Sequence, residues 1–511
     1  MRLIKKYIFY SYIKMRCHLC KENQMEFRDK YDLKRHFKQK NHLENFNTEQ
    51  KEYINGIYTL LDEKKPKTLL LNCPGGTGKS YSTINNILLI DYDVIILTPT
   101  NQSKNILKKM LQKIPQDNRN KNIYVKTLHS YFEWSQENDE DDNLYDIFLF
   151  EKKSLPKNNT LYIIDEISMI NEDLYQLIDF YILGSYKCIL MGDEAQLAGI
   201  EDTKKKQSLF KFNYVRTEPK HISKLFYRED ERFKYNLTHI MRTENVYLSN
   251  INMAFREDII KNREINSKLL MNSYLKDIKS NIFNTYLEDN LLLEFAESNE
   301  KIFISYRNCE KTKLNKRSQE LLGYTQEYNV GEKIIINDYI HRETEDKKGT
   351  KIFLQALQNG DKEIIKRINI TRHIFKNIIP SDKTFKINKW VLGLGEDEKQ
   401  VEKIISRWYL KSDYVILCNY KKYFKDLIKD ILDPKERKQL YKELRLEIKS
   451  VNMKFDLGYA ITTHKSQGAG FDEVCVLLKD LRLAQYFNPD TFKRLYYTAI
   501  SRTKNKLYIN W

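Results

Sequence analysis

Short runs of apolar residues, bounded by polar or small residues, are the clearest pattern along the chain. Five runs have four or five positions each: Thr68–Asn72, Val94–Thr98, Leu161–Ile164, Cys188–Met191 and Lys301–Ser305. Runs of this length predict buried strands of a parallel sheet. The stretches between them leave room for crossover helices, so the pattern predicts an α/β fold with helices on both faces of a sheet.

The first apolar run leads directly into a glycine-rich loop and a helix. Such a loop binds phosphate through backbone N–H groups and the helix N-terminus, with a lysine on the terminal phosphates and a hydroxyl on magnesium. The predicted ATP-binding residues are Pro74, Gly75, Gly76, Thr77, Gly78, Lys79 and Ser80. The loop departs from the usual pattern at Cys73, where a first glycine is expected.

Two later strands also end in polar residues. Asp165 and Glu166 follow Leu161–Ile164, and Gln196 lies shortly after Cys188–Met191. Beside a phosphate loop, an Asp-Glu pair at a strand end predicts magnesium binding by Asp165 and activation of the attacking water by Glu166. A glutamine in the second place predicts a sensor of the terminal phosphate.

Four residues near the start of the chain have the spacing of a zinc site. Two thiolates in Cys-x2-Cys and two imidazoles in His-x5-His form a closed tetrahedral set: Cys17, Cys20, His36 and His42. The sequence therefore predicts a zinc finger over residues 15–46, after an extension at 1–14. Its basic helix leaves two uses open, a nucleic-acid contact or docking to another protein.

Composition limits the class of protein. The 511 residues carry 87 Lys and Arg against 70 Asp and Glu, a net charge of +17, which predicts a polyanionic partner. The length predicts two to four domains. No segment reaches the roughly 18 to 20 apolar residues of a membrane span. Seven cysteines, with only one close pair, argue against a disulfide framework and predict an intracellular, soluble protein.

Six further segments complete a recognisable order of motifs. They are Phe46–Tyr53 with Gln50, Leu97–Leu107, Thr127–Ser130, Asn236–Asn245 with Arg242, Tyr459–Phe471, and Leu495–Thr503 with Arg502. With the phosphate loop, the acidic pair and Gln196, this order resembles the superfamily 1 helicases, in the 1B branch of RecD-like and Dda-like DNA helicases. The resemblance implies that Gln50 reads adenine and that Arg242 and Arg502 act as arginine fingers, with Lys79, Asp165, Glu166 and Gln196 completing the catalytic set.

The resemblance also implies a division of the chain. Two RecA-like lobes are expected, with an inserted β-hairpin (1B), an inserted SH3-like and helical 2B subdomain, and the small zinc finger. The expected bounds are 47–225 for lobe 1A with the hairpin at 131–157, 226–330 and 453–511 for the two parts of lobe 2A, and 331–452 for 2B.

The function implied is an ATP-dependent, magnesium-requiring DNA helicase that moves 5′ to 3′ on single-stranded DNA as a monomer. Replication, recombination or repair would be its setting, with DNA junctions as substrates and replication or repair proteins as partners of the finger. The nucleic-acid contacts expected are Thr98, Pro99, Thr100, His129, His464, Lys465 and Gln467.

Two alternatives stay open. An RNA helicase is the first, although Asp-Glu-Ile-Ser-Met at residues 165–169 matches the DNA-directed relatives. The second is a zinc-finger binding protein with a vestigial ATPase scaffold, against which the intact catalytic residues argue. Nucleus and cytoplasm are both open as compartments, and an AT-rich style of composition leaves a viral replication site open as well.

Overall fold

The computed structural model describes most of the chain. The described residues are 15–16, 26–27, 46–87, 90, 92–113, 122–132, 134–138, 144–148, 156, 159–198, 223–227, 231–262, 282–285, 287–337, 340–345, 351–357, 362–394, 403–408, 411–451, 454–486 and 488–510.

The first sheet has six strands, all parallel. Their order is Lys234–Asn236, Thr68–Asn72, Lys187–Gly192, Thr160–Ile164, Asp93–Thr98 and Ile123–Thr127. The central strands are almost entirely buried because their apolar runs are covered on both faces by packed side chains. The α/β prediction with parallel strands is confirmed, and the four apolar runs from this part of the sequence are neighbouring strands.

The second sheet has five strands and is also parallel. Its order is Ile282–Thr285, Thr503–Asn510, Phe471–Leu477, Lys301–Ser305 and Ala460–Thr462. The strands come from two parts of the chain that are separated by about 150 residues of other structure, as the bounds of Lys301–Ser305 and Ala460–Thr462 show. A core of Ile, Val, Leu and Tyr side chains packs this sheet against the helix Pro489–Ile500.

A third sheet, antiparallel, lies between those two parts in sequence. Its order is Lys403–Trp408, Lys386–Leu394, Lys362–Ile374, Lys333–Ile336 and Phe455–Leu457. Lys333–Ile336 and Phe455–Leu457 pair with each other, so the chain leaves and re-enters the second sheet through adjacent strands. The helices Lys411–Lys429 and Pro434–Val451 share a core with Phe375 and Ile387.

Three antiparallel pairs of strands complete the strands of the described residues. They are Met15–Arg16 with Glu26–Phe27, Trp134–Asn138 with Leu144–Phe148, and Ile340–Glu345 with Lys351–Leu357. The second hairpin lies within residues 131–157, where an inserted hairpin is expected.

The α-helices follow the strands as crossovers and caps. Their bounds are Thr48–Asp62, Lys79–Ile87, Asn101–Gln112, Leu128–Tyr131, Glu172–Tyr181, Val246–Ile260, Asp289–Glu297, Asn308–Leu321, Lys411–Lys429, Pro434–Val451, Thr463–Ser466, Leu478–Leu481 and Pro489–Ile500. Short 3₁₀ turns occupy Ile167–Met169, Lys224–Tyr227, Glu231–Phe233 and Arg482–Tyr486. Among the described helices, none combines the length and apolar character needed to cross a membrane.

Candidate active site

The glycine-rich loop joins the buried strand Thr68–Asn72 to the helix Lys79–Ile87. Gly76 and Gly78 have φ values of +93° and +81°, a left-handed conformation that side chains with a Cβ avoid. A Cβ at Gly78 would also lie 2.6 Å from the amide nitrogen of Gln50. Both glycines are therefore required by backbone shape as well as by space.

The surroundings of Cys73 explain why the loop tolerates this residue where a first glycine is expected. Its thiol is fully buried in the core of the first sheet, and its N–H donates to the carbonyl of Gly192 at 2.9 Å. Burial raises the pKa of this thiol to about 11. The residue therefore serves the core below the loop as a small apolar group.

Lys79 and the acidic pair form the centre of the site. The Lys79 ammonium lies 3.1 Å from Glu166 Oε1 and 3.6 Å from Asp165 Oδ1. The Ser80 hydroxyl donates to Asp165 Oδ2 at 3.3 Å, so lysine, hydroxyl and both carboxylates converge as the motifs predict. Glu166 adopts a left-handed φ of +54°, an uncommon conformation of the kind that clusters at functional sites.

The two carboxyl groups differ in their protonation behaviour. Burial raises the pKa of Asp165, although the nearby Lys79 opposes this effect. Burial also acts to raise the pKa of Glu166, but the charges of Lys79, Arg502 and Arg242 outweigh it and hold that pKa below its ordinary value. Glu166 is thus held as a carboxylate by cations around it.

The donor set fits a magnesium ion. Magnesium prefers hard oxygen ligands and keeps part of its water shell. The Ser80 hydroxyl and the Asp165 carboxylate supply such oxygens side by side, and Glu166 Oε2 is buried without a hydrogen-bond partner among the described residues. Ser80 and Asp165 would hold the ion, with Glu166 oriented toward the same space.

Gln196 lies against the phosphate loop. Its side-chain nitrogen donates to Asp193 Oδ2 at 3.3 Å and would be 3.5 Å from a Cβ placed on Gly75. Its side-chain oxygen is buried and has no hydrogen-bond partner in the described part of the chain. Buried polar side-chain atoms are usually hydrogen-bonded within the protein, so a buried amide oxygen without a partner is suited to contact a ligand.

The two predicted arginine fingers meet at the same place from the other side. Arg242 donates through Nη1 to the Ser501 carbonyl at 2.6 Å and lies beside Gly75 and Gly76. Burial and then the charge of Arg502 lower the pKa of Arg242 to about 10, so it stays a cation at neutral pH.

Arg502 is 1% exposed, and its guanidinium donates to Thr498 O, Ala469 O and Ser501 Oγ. Burial acts first to lower its pKa, and Glu166 acts to raise it. Arg242 and Arg502, both more than 60 positions from Glu166 in sequence, thus place two positive charges near this carboxylate.

Gln50 is engaged with the protein itself. Its side-chain nitrogen donates to the Thr77 carbonyl at 3.0 Å, and its side-chain oxygen accepts from Asn47 N at 3.1 Å within a capping box of the helix Thr48–Asp62. The residue therefore supports both the helix start and the phosphate loop. Adenine reading by Gln50 stays a prediction.

The expected nucleic-acid residues are divided between surface and interior. Lys465 and His129 are exposed, and Pro99, Thr100 and His464 are half-buried. Thr98 is buried with its hydroxyl donating to Thr100 O at 2.9 Å. Gln467 is also buried, and its side-chain amide donates to Leu197 O at 3.2 Å. This hydrogen bond joins the segment after Ala460–Thr462 of the second sheet to the segment after Lys187–Gly192 of the first.

The predicted zinc ligands Cys17, Cys20, His36 and His42 lie outside the described residues. The described part of this unit is the antiparallel pair Met15–Arg16 and Glu26–Phe27, between which both cysteines fall in sequence. In the described ranges, no three His, Cys, Asp or Glu side chains are grouped as metal ligands would be.

Several site residues were missed by sequence reasoning. Asp193 lies within the segment that contains Gln196, yet nothing local marks it as the acceptor for Arg256 at 3.0 Å and Tyr497 at 2.6 Å. Arg256 lies on the helix Val246–Ile260, whose sequence has no motif that marks a site residue. Only the docking of the two sheets brings these groups together.

Two family models match the chain. The AAA domain matches residues 59–201, and the UvrD-like helicase C-terminal domain matches residues 457–510. The first match includes the phosphate loop, the acidic pair and Gln196. The second includes Lys465, Gln467 and Arg502.

Similar proteins are known from two distant sources. An uncharacterized protein of Acanthamoeba polyphaga mimivirus is 23% identical over 519 residues, which cover 90% of this chain and 99% of that protein. An uncharacterized protein of Methanocaldococcus jannaschii is 25% identical over 527 residues, which cover 95% of this chain and 40% of that protein. The chain thus spans less than half the length of the second relative.

Solved structures of similar chains include a Pif1 helicase from Bacteroides in complex with ADP-AlF3 and ssDNA. It is 16% identical with a TM-score of 0.46, and the match covers 90% of this chain and 91% of that one. A Pif1 helicase from Candida albicans has 14% identity and a TM-score of 0.41, covering 91% and 94%. With an AAA domain and a UvrD-like helicase C-terminal domain meeting at one phosphate-binding loop, the chain is an ATP-dependent hydrolase of the helicase type.

Proposed function

We propose that the protein is an ATP-dependent DNA helicase that moves along single-stranded DNA, 5′ to 3′, in replication, recombination or repair. The observation that carries the proposal is the convergence of Arg242 and Arg502 on the buried site of Lys79 and Glu166. Arginines brought from a second unit neutralise charge on a transferring phosphoryl group, and they make hydrolysis depend on contact between two units.

Each residue has a defined part in hydrolysis. Lys79 exchanges its carboxylate contacts for phosphate oxygens of ATP, and the loop from Pro74 to Gly78 supplies backbone N–H groups. Glu166, held as a carboxylate, polarises the attacking water. Ser80 and Asp165 would hold magnesium, which supplies charge neutralisation on the phosphates when it is bound. The free amide oxygen of Gln196 orients a group at the terminal phosphate.

The nucleic-acid strand is proposed to contact exposed or half-exposed groups of both parallel units: Pro99, Thr100, His129, His464 and Lys465. Phosphate binding by basic groups and base stacking on flat side chains are the usual means of holding a single strand. The net charge of +17 supports this polyanionic partner. DNA is favoured over RNA by the resemblance of residues 165–169, and the 5′ to 3′ direction rests on the resemblance alone.

The proposed division of the chain follows the motifs. Lobe 1A begins at 47, carries the 131–157 hairpin as a strand-separating pin, and extends past the expected boundary at 225, because Lys234–Asn236 pairs with Thr68–Asn72 in the first sheet. Lobe 2A takes the residues that follow this strand to 330 and then 453–511, and 331–452 form the 2B insertion. The pairing of Trp134–Asn138 with Leu144–Phe148 supports the pin, because a rigid hairpin can separate strands at a DNA junction. Monomeric action is part of the proposal.

The first test is the steady-state ATPase rate with and without oligo-dT. We expect strong stimulation by the single strand, loss of hydrolysis in Lys79→Ala, and no loss in Lys109→Ala, a control that removes an exposed lysine. Lys79→Ala should still bind the strand. Absence of hydrolysis in the unaltered protein, or full hydrolysis in Lys79→Ala, would refute the proposed site.

A second test separates the substrate classes. Unwinding of duplexes with 5′ or 3′ single-stranded tails measures direction, and the same tails made of RNA distinguish DNA from RNA. Unwinding of 5′-tailed DNA is expected. Efficient unwinding only from RNA tails would favour the RNA helicase, and strand binding without any hydrolysis would favour the binding protein with a vestigial ATPase.

The zinc finger at residues 15–46 is proposed from its ligand spacing. We expect about one zinc ion per chain by elemental analysis, because a Cys2His2 set holds one ion. Cys17→Ser should lose that zinc, whereas Cys309→Ser, at an exposed cysteine of the helix Asn308–Leu321, should retain it. A zinc-free protein purified without chelators would overturn this part of the proposal.

A further inference from the structure

Asp193 is a fully buried carboxylate that the roles above do not use. It follows the central strand Lys187–Gly192, and four donors reach it. Arg256 Nε donates at 3.0 Å, the Tyr497 hydroxyl at 2.6 Å, Gln196 Nε2 at 3.3 Å and Ala195 N at 3.2 Å. A carboxylate offers about four acceptor positions, so its capacity is filled.

Arg256 connects this carboxylate to the phosphate loop. Its Nη2 donates to Asn72 Oδ1 at 2.9 Å, and Asn72 is the last residue of the strand that enters the loop. Asn72 in turn donates to Glu194 Oε2 at 3.0 Å. One guanidinium therefore ties together the two strand ends that carry the phosphate loop and Gln196.

Arg256 and Tyr497, the side-chain partners of Asp193, lie on the two helices next to the arginine fingers. Arg256 lies on the helix Val246–Ile260, which begins four residues after Arg242. Tyr497 lies on the helix Pro489–Ile500, which ends two residues before Arg502. Arg494 of that helix adds hydrogen bonds to the backbone carbonyls of Glu194 and Gln196, the second at 3.3 Å.

We propose that Asp193 is a positioning residue that sets Arg242, Arg502 and Gln196 in register around the phosphate site, through Arg256 and Tyr497. This inference rests on the proposed function, since it assigns the groups that hold the two units in their hydrolytic arrangement. A buried ion pair with filled hydrogen bonds defines one geometry sharply, because a shift of either partner leaves a buried charge unpaired. Charge placed in advance around a reacting phosphate accelerates the reaction without reorganisation.

The sharpest variant is Tyr497→Phe, which removes one hydroxyl and keeps the ring. The lost hydroxyl donates to a buried carboxylate, so a catalytic geometry that depends on this bond should lose about tenfold or more in DNA-stimulated kcat. The KM for ATP should stay within about threefold, because ATP binding by the loop is retained. Arg256→Lys, which keeps the charge and loses the fork to Asn72, should show the same split.

The matched control is Tyr496→Phe, which removes a hydroxyl from the residue directly before Tyr497 on the same helix. The ring of Tyr496 packs edge-on against Phe255. We expect its kcat to match that of the unaltered protein. All measurements use the full chain with oligo-dT, and melting temperatures are recorded for each variant.

The outcomes separate this inference from the proposed function. Failure of the unaltered protein to hydrolyse ATP with oligo-dT refutes the function itself. If the single strand stimulates the unaltered protein, three results for Tyr497→Phe and Arg256→Lys refute the role of Asp193. These are an unchanged kcat, a rise in KM alone, and a loss of activity that only follows a fall in melting temperature. A fall in kcat at constant KM and melting temperature, absent in Tyr496→Phe, supports it.

Discussion

The guanidinium of Arg242 donates a hydrogen bond to the backbone carbonyl of Ser501, 2.6 Å away and directly before Arg502. This contact joins two segments that are 259 residues apart and sets the two arginine side chains as neighbours. Like charges repel, and the charge of Arg502 is, after burial, the second cause that lowers the pKa of Arg242. A polyphosphate between them would relieve that repulsion.

Replacement of either arginine should therefore affect turnover more than ATP binding. We expect Arg242→Ala and Arg502→Ala to lower kcat by about 10³-fold, because arginine fingers contribute on that order in phosphoryl transfer. Binding of a fluorescent ATP analogue, measured by titration, should weaken by less than about tenfold. Arg367→Ala, at an exposed arginine of the third sheet, is the control and should leave both values unchanged. Equal losses in binding and turnover would contradict a role in the transition state.

Gly78 and Gly184 form a matched pair for testing the phosphate loop. Their φ values are +81° and +82°, but a Cβ at Gly78 would lie 2.6 Å from Gln50 whereas at Gly184 it meets nothing within 4 Å. Alanine costs about 1–2 kcal/mol of strain at either position. We expect Gly78→Ala also to raise the KM for ATP strongly, while Gly184→Ala keeps it. Steady-state kinetics and urea unfolding measure the two effects, and equal KM values would contradict the requirement for space at Gly78.

Cys73 provides a test of the loop's departure from its usual pattern. Because the thiol packs in the core and the N–H carries the bond to Gly192, Cys73→Gly should keep ATP hydrolysis. It should lower the free energy of unfolding by about 1–2 kcal/mol through lost burial and added chain entropy. Urea unfolding and KM for ATP check the two expectations. A large rise in KM would show that the cysteine shapes the phosphate site directly.

Lys333 predicts a pH dependence of stability. Burial and then the charge of Lys362 lower its pKa to about 8, against an ordinary value of 10.5 in the unfolded chain. Between these values the unfolded state binds more protons, so the free energy of unfolding should rise as pH increases from about 8 to about 10.5. Lys333→Met should flatten that rise. Urea unfolding at several pH values measures it, with Lys366→Met, at an exposed lysine, as the control.

The sequence predicted the parts of this site that depend on neighbours along the chain. The apolar runs predicted the strands, and the glycine-rich segment predicted a loop whose Gly76 and Gly78 are in fact left-handed. The motifs assigned Lys79 and Glu166 to one ATP site, whereas their direct contact at 3.1 Å was not predicted. Nucleic-acid roles were assigned to Thr98 and Gln467 from their motifs, yet both side chains are buried and bonded to backbone carbonyls.

By itself the sequence determined local conformation and the sign of charge, since a run of Leu and Ile or a glycine in a tight loop limits what the backbone can do wherever it lies. Tertiary structure alone decided which distant groups meet. Asp193 reaches Arg256 and Tyr497 across 63 and 304 residues. An apolar pattern predicts that one face of an element will be buried, but it does not predict which other element packs against that face. The partners of Asp193 follow only from the docking of the two parallel sheets.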